Sequence, residues 1–375
     1  MTLLPLHILL AGGGTGGHLF PGIAIARKFL EKNQDSRILF VGTGNPFEIS
    51  VLEKNGFEHK KITSAGIKGV SVFKKLKALL KIPKGLIESA MIIKSFRPDV
   101  VIGVGGYSSG PVVLMAWLIK QMSGKIKIAL QEQNSLPGIT NRILGRLSDR
   151  IYISFRMTAA FFNPAKVLYS GNPVREEILQ ARHESLPGKK NHTGNRFTVF
   201  VSGGSQGAHR VNIALIDALE YLESTDQFFF IHQTGVNDKE MVEAVYQGKG
   251  IKCDVRPFFD DMASQYEACD LLIARSGATT VSEITAMGKA VIFIPFPYAS
   301  DNHQELNARE LVKDGAADMI LEKSLTGKCL AEKLEYYKAN RDALLAMAEK
   351  SGNLGHLNAS ETIINDCYHM IERRV

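Results

Sequence analysis

The sequence predicts an α/β protein made of two Rossmann-like parallel-sheet domains. Short apolar, β-branched segments alternate with helical stretches along most of the chain, which is the pattern of βαβ units. Glycine-rich turns follow such segments in both halves. At 375 residues the chain also exceeds one ordinary core, since a domain takes about 150 residues.

The first half opens with a strand at Leu6–Leu10, a glycine turn and a helix from about Phe20 to Lys32. Further strands are RILFVG (Arg37–Gly42), VVIGVGG (Val100–Gly106) and KIKIAL (Lys125–Leu130). The second half repeats the plan. RFTVFVSGGSQGAHRVNIALIDAL (Arg196–Leu219) reads as strand, glycine turn, helix, and Cys269–Phe296 reads as strand, turn, helix, strand. Between the halves, YSGNPVREEIL (Tyr169–Leu179) and the polar stretch His183–Asn195 carry Gly171 and Pro173, which fits a hinge. The expected domains are 1–172 and 173–352, with a terminal helix at about 353–375 packing back on the first.

A content of 45% hydrophobic and 22% charged residues describes a soluble globular protein. No apolar run approaches the ~18 residues that cross a bilayer. The opening MTLLPLHILLAGGG lacks a basic leader region and runs straight into the glycine loop, so it reads as a strand and not a signal peptide. Cys253, Cys269, Cys329 and Cys367 show no CxxC spacing, which argues against a zinc site or a disulfide framework and for a reducing cytoplasm. The net charge of +7 favours acidic partners: phosphates, nucleic acid or an anionic lipid surface.

Gly12-Gly13-Gly14-Thr15-Gly16-Gly17 satisfies G-x-G-x-x-G between a strand and a helix. Glycines let the backbone approach a diphosphate, and the helix N-terminus supplies N–H groups and partial positive charge. The bland alternative is a tight turn with no ligand. A dinucleotide site would need an acid at the end of the second strand, but that strand ends Phe40-Val41-Gly42-Thr43-Gly44. No GK[ST] follows the glycines, which removes a Walker A loop. His18 closes the loop; it is either a packing residue or, with an imidazole that titrates near working pH, a proton acceptor. Gly103–Pro111 and Ser202–His209 are further turns of this kind, and together they predict a ligand crevice at one edge of each sheet.

The most specific stretch is ARSGATTVSEITAMGKAVIFIPFPYASDNHQELNA, Ala274–Ala308. With GGGTGGHLFPGIAIA, GVGGYSSGP, QEQNSLPGITNR, GNPVR and SGGSQGA, it resembles the MurG family of bacterial transferases, the motifs recurring in order from Gly12 to about Ala317. The resemblance implies a GT-B glycosyltransferase architecture, two Rossmann-like domains facing across a deep cleft. It implies inverting transfer of GlcNAc from UDP-GlcNAc to the C4 hydroxyl of MurNAc in undecaprenyl-pyrophosphoryl-MurNAc-pentapeptide (lipid I), giving the β-1,4-linked lipid II for peptidoglycan synthesis.

By position, the resemblance gives Glu283 the uridine ribose, the Phe259 backbone the uracil edge, and Ser205 and Arg175 the diphosphate and nucleotide side. Ala278, Thr279 and the loop N–H groups would lie near sugar and phosphate, with Arg275 leading into that loop and Thr280 also on the UDP-GlcNAc side. His303 and Gln304 stand where the family has a pair of glutamines for the GlcNAc hydroxyls. Thr15, Gly16, Gly17 and Asn134 line the cleft opposite. Gly13, Gly14, Gly105, Gly106, Tyr107 and Asn212 fall on the acceptor or diphosphate side. His18 is the candidate base and Glu132 the alternative. Both Thr280-x-x-Glu283 and Asp301-x-x-Gln304 also read as capping boxes. The chain has no Asp-x-Asp, Asp260 and Asp261 being adjacent, so no metal or other cofactor is expected, and helix N-termini with Arg175 and Ser205 would stabilise departing UDP.

Between Glu58 and Glu88 lie eight lysines and no acids. Helical spacing gathers Phe73, Leu76, Leu79, Leu80 and Ile87, with Lys74, Lys77, Lys81 and Lys84 on the adjoining face. This could be an ordinary surface helix. A lipid-linked acceptor needs its enzyme at the bilayer, however, and a lysine near anionic headgroups contributes ~1 kcal/mol. The expectation is a peripheral membrane patch of Phe73, Lys74, Leu76, Lys77, Leu80 and Lys81 meeting anionic lipids at the cytoplasmic face of the inner membrane. Other cell-wall synthesis proteins are further expected partners. Nucleic acid is not expected, since the lysines do not interleave with aromatics. The rival readings are a UDP-GlcNAc epimerase, a transferase with another acceptor, or a nucleotide-sensing membrane adaptor without turnover.

Overall fold

A computed structural model describes residues 4–64, 72–184, 196–204 and 206–372, the side chains of 72–81 excepted. It divides into two compact units, Met1–Arg175 with Asn358–Val375, and Glu176–Leu357.

The first unit runs β1 (His7–Gly12), α1 (Gly16–Lys32), β2 (Arg37–Gly42), α2 (Pro46–Lys54), β3 (Glu58–Lys61), α3 (Val72–Phe96), β4 (Val100–Gly105), α4 (Ser109–Ser123), β5 (Lys127–Glu132), α5 (Ile139–Leu144), β6 (Arg150–Ile153) and β7 (Val167–Tyr169). Its parallel sheet has the order β3-β2-β1-β4-β5-β6-β7. β1 and β4 are buried on both faces, which is why they read as unbroken apolar runs. Alternate residues feed two cores. Ile8, Leu10 and Ile102 pack with Ile23 and Phe29 of α1, while Leu9, Ala11 and Val101 pack with Val112, Val113 and Ala116 of α4 and Ile93 and Phe96 of α3. Each such Val, Leu, Ile or Phe side chain contributes about 2 kcal/mol on burial.

The second unit runs α6 (Glu176–Glu184), β8 (Phe197–Ser202), α7 (His209–Ala218), β9 (Phe228–Gln233), α8 (Lys239–Gly248), β10 (Cys253–Arg256), α9 (Met262–Ala268), β11 (Leu271–Ala274), α10 (Ala278–Met287), β12 (Ala290–Phe293), α11 (His303–Lys313), β13 (Asp318–Met319), α12 (Gly327–Ala339) and α13 (Arg341–Asn353). Its parallel sheet, β10-β9-β8-β11-β12-β13, repeats the order of the first. The final helix, α14 (Ala359–Glu372), belongs to the first unit, where Ile363 and Cys367 join the α1 core. Asp366 ties it to the sheet, accepting from Arg150 at 2.8 and 3.0 Å and from the Tyr152 hydroxyl at 3.0 Å.

Some boundaries differ from the sequence reading. α1 begins at Gly16, ahead of Phe20, because helix-start glycines carry no apolar signal. β5 runs two residues later than Lys125–Leu130. Left-handed Gly124 (φ 64°) ends α4 and delays the strand, and the polar Gln131 and Glu132 stay inside it, buried and hydrogen-bonded. Among the described residues, no helix is long and apolar enough to cross a membrane.

Candidate active site

In each sheet the chain order reverses beside the first strand, between β1 and β4 and between β8 and β11, and ligands of such folds bind at the carboxyl ends of strands flanking that point. The glycine turns sit there. In the first unit the loops after β1 and β4 touch: a Cβ on Gly106 (φ 82°) would lie 2.6 Å from the Gly13 carbonyl oxygen. A Cβ on Gly105 would lie 2.7 Å from Nδ1 of His18, so the imidazole packs on bare backbone. Thr15, the N-cap of α1, makes no side-chain capping bond. Thr15, Gly14 and Gly17 are exposed, as is Tyr107 after β4.

His18 Nδ1 lies 3.1 Å from Gln133 Oε1. Glu132, one residue earlier, turns into the protein and is 2% exposed. Its Oε1 accepts from the Asn134 amide at 3.0 Å, and its Oε2 accepts from Asn141 Nδ2 at 2.8 Å and the Gly138 amide at 3.2 Å. Burial pushes the Glu132 carboxyl up, and these hydrogen bonds pull only part of the way back. Glu132 thus organises the loop that carries Asn134.

Glu48 was not singled out from the sequence. It comes from α2 and ends against β2, where no strand residue supplies an acid. Its Oε1 accepts from the Gly14 amide, and its Oε2 from the Gly44 amide at 2.7 Å and the Thr43 hydroxyl at 3.0 Å. The available signal was Asn45-x-x-Glu48, a capping box in the structure. Arg175 lies with its guanidinium carbon 5.0 Å over the Phe20 ring of α1.

In the second unit, α10 begins at Ala278 behind Gly277, a cap with no side chain to offer. The N–H groups and partial positive charge of such a helix start suit an anion. α7 likewise starts behind Ala208 with no side-chain cap, whereas α9 and α12 are capped by Asp261 and Thr326. Thr280 is therefore inside the first turn of α10, and the capping-box reading of Thr280 and Glu283 does not hold. Nor does that of Asp301 and Gln304. α11 is capped by Asn302 without a side-chain bond, and Asp301 and Asn302 are both left-handed (φ 55° and 56°). Gln304 Oε1 accepts from the Phe296 amide at 3.0 Å, and His303 Nδ1 lies 2.7 Å from the Ser300 carbonyl.

Glu283 is 3% exposed and accepts the Tyr266 hydroxyl at 3.0 Å. The Phe259 amide donates to Gln233 Oε1 at 3.0 Å, so its N–H is committed within the protein. Arg275 is committed too: it pairs with Glu322 at 2.6 Å and donates to the carbonyls of Ile294 (2.9 Å) and Pro295 (3.1 Å). These bonds brace the segment after β12. Asn212, expected to line the cleft, is fully buried and donates to the Thr234 carbonyl at 2.9 Å and Asp238 at 2.7 Å. Ser205 and the side chains of the expected membrane patch lie outside the described residues. Among the described residues, no group of three or more His, Cys, Asp or Glu side chains could hold a metal ion.

Two such parallel sheets are the Rossmann-like pair of the GT-B fold, and family profiles make the chain a glycosyltransferase. Residues 8–153 match the glycosyltransferase family 28 N-terminal domain and residues 198–363 the C-terminal domain. The chain belongs to glycosyltransferase family 28, within its MurG branch. It is 47% identical over 369 residues to the UDP-N-acetylglucosamine–N-acetylmuramyl-(pentapeptide) pyrophosphoryl-undecaprenol N-acetylglucosamine transferase of Syntrophus aciditrophicus, covering 98% of this chain and 99% of that one. The transferase of the same name from Myxococcus xanthus is 43% identical over 368 residues, 98% of this chain and 93% of its own. Among solved structures, Acinetobacter baumannii MurG superposes with a TM-score of 0.76 at 28% identity, covering 98% of this chain and all of that one. The S. aureus MnaA–UDP co-structure (TM-score 0.68, 15% identity, 98% and 97% covered) shares the fold.

Proposed function

We propose that the chain transfers GlcNAc from UDP-GlcNAc to the C4 hydroxyl of MurNAc in undecaprenyl-pyrophosphoryl-MurNAc-pentapeptide, with inversion, forming the β-1,4-linked disaccharide lipid of peptidoglycan synthesis. The observation that carries this reading is the 47% identity, over nearly the whole of both chains, to a transferase of that name.

O4 of MurNAc attacks C1 of the α-linked sugar. The C1–O bond to the diphosphate breaks, UDP leaves with the bonding pair, and the O4 proton passes to a base. His18 takes that role, because it closes the glycine loop and its Nδ1 contact with Gln133 favours Nε2 as the accepting nitrogen. Glu132 suits it less, with both oxygens engaged by the loop it organises. Gly13, Gly14, Gly105, Gly106 and Tyr107 hold the acceptor's pyrophosphate and sugar, and Thr15, Gly16, Gly17 and Asn134 lie beside the transferred GlcNAc. The second unit binds the donor. Glu283 takes the ribose hydroxyls, and the amides at Ala278, Thr279 and Thr280 stabilise the charge on departing UDP. With its N–H committed, the Phe259 backbone offers uracil its carbonyl, an acceptor for the N3–H. Gln304 and His303 hold GlcNAc hydroxyls, and Ser205 and Arg175 the diphosphate.

The enzyme works peripherally at the membrane through the first unit. Besides the lysine-rich run, Ile87 and Met91 of α3 and Leu118 and Met122 of α4 are exposed on two helices that pack together, which supports an apolar contact. Binding to vesicles that ignored both anionic lipid content and a Lys74/Lys77/Lys81→Glu triple change would contradict this placement. The transfer itself is tested by incubating the full chain with radiolabelled UDP-GlcNAc and the lipid-linked MurNAc-pentapeptide, with and without EDTA. Label should enter the lipid fraction as a β-linked disaccharide in both. Epimerised free sugar nucleotide, or binding without turnover, would favour the rivals.

A further inference from the structure

His18 ends a one-way chain of buried amides. Gln133 is 2% exposed, and its Nε2 donates to the Val104 carbonyl oxygen at 2.7 Å. A backbone carbonyl can only accept, so the amide nitrogen must face Val104 and Oε1 must face His18. Nδ1 of His18, 3.1 Å from that oxygen, therefore carries the ring proton, and Nε2 is the accepting nitrogen of the neutral imidazole.

The same direction runs inward. Gln133 Nε2 also donates to Gln131 Oε1, which turns Gln131 Nε2 towards Asn172 Oδ1 at 2.8 Å. Asn172 Nδ2, in a side chain 2% exposed, has no hydrogen-bond partner among the described residues. Reversing every amide would give that nitrogen an acceptor, but it would set Gln133 Oε1 against the Val104 oxygen. The unmet donor at Asn172 is thus the consequence of a direction imposed at Val104.

We propose that Gln133, backed by Gln131 and Asn172, is a positioning residue that locks His18 in the Nδ1–H tautomer, aiming Nε2 at the hydroxyl that attacks the donor sugar. The proposal rests on His18 being the base. An uncharged acceptor orients the ring without placing a second charge in a site that must accommodate pyrophosphates.

The test uses the full chain labelled with 15N-histidine. Long-range proton–nitrogen correlation should show His18 protonated at Nδ1 in the wild type and shifted toward Nε2–H in Gln133→Leu. With both substrates varied, Gln133→Leu should lower kcat about 100-fold while each KM stays within about threefold, the span expected when a general base is misaligned. Added to His18→Ala, it should cost less than about threefold more, because it acts through the ring. A wild-type His18 protonated at Nε2, or losses that multiply in the double variant, would overturn the proposal. The wild-type spectrum decides the tautomer even if Gln133→Leu does not fold. Wild-type turnover in His18→Ala would sink the base assignment instead, and the spectrum would still report on the lock.

Discussion

Tyr266 donates its hydroxyl to Glu283 Oε2 at 3.0 Å, and both side chains are buried in the second unit. The bond holds the carboxylate proposed to take the donor ribose. Glu283→Gln keeps the volume and an acceptor for Tyr266 but removes the charge. Hydrogen bonds to charged groups contribute about 1.5–3 kcal/mol, so KM for UDP-GlcNAc should rise at least about tenfold while the melting temperature stays near wild type. Tyr266→Phe should raise KM less. Initial rates and thermal melts check both, and an unchanged KM in Glu283→Gln would remove Glu283 from the donor site.

Glu48 joins the Gly14 amide to the 43–45 turn. Glu48→Gln keeps the shape but presents an NH2 group to backbone donors. The midpoint of urea unfolding should fall by the equivalent of about 1–3 kcal/mol, the cost of an unmet buried donor. Acceptor KM should rise more than donor KM under the proposal that the glycine loop serves the acceptor. Equal effects on both substrates would detach the loop from acceptor binding.

Arg275 and Glu322 form a pair whose side chains are 11% and 13% exposed. Removing one partner strands the other, so Arg275→Ala should cost about 3 kcal/mol in denaturant stability. The Arg275→Ala/Glu322→Ala double variant should recover part of that loss. If Arg275→Ala instead left stability intact and raised only donor KM, the bracing role would be wrong.

His232 is buried between the Tyr246 hydroxyl, 3.2 Å from Nδ1, and Asn212 Oδ1, 3.1 Å from Nε2. Burial drives its pKa down to about 3, with Asp238 opposing. The unfolded chain has a histidine near 6.5, so below that pH the unfolded state binds the proton first. The contribution of His232 to stability is therefore complete above about pH 6.5 and is lost as pH falls toward 3, by about 1.4 kcal/mol per unit. Between pH 6 and 4.5, wild-type stability should fall more steeply than that of His232→Asn in parallel urea titrations. Parallel slopes would mean that the imidazole takes its proton without cost.

The alternation of apolar runs and the glycine turns were legible because they are local: each strand is read from its own residues. The chemistry around the turns was less legible. The acid missing from the end of β2 arrives from α2, six residues beyond Gly42, and only folding sets Glu48 against Gly14. Gln131 and Gln133 read as polar loop residues, yet they are buried at the end of β5 and its loop, where their amides carry a hydrogen-bond direction from Val104. The family resemblance puts Arg275 among the donor-side residues, but says nothing of what holds it. Its partners Ile294, Pro295 and Glu322 lie 19 to 47 positions away, out of reach of any local pattern.

The division of labour, base in the first unit and donor in the second, meets its most direct test in one comparison: turnover and UDP-GlcNAc affinity of His18→Ala with the lipid-linked acceptor saturating. A kcat about 100-fold or more below wild type, with donor Kd unchanged, is the result this assignment requires. Wild-type kcat, or a lost donor affinity with kcat intact, would contradict it.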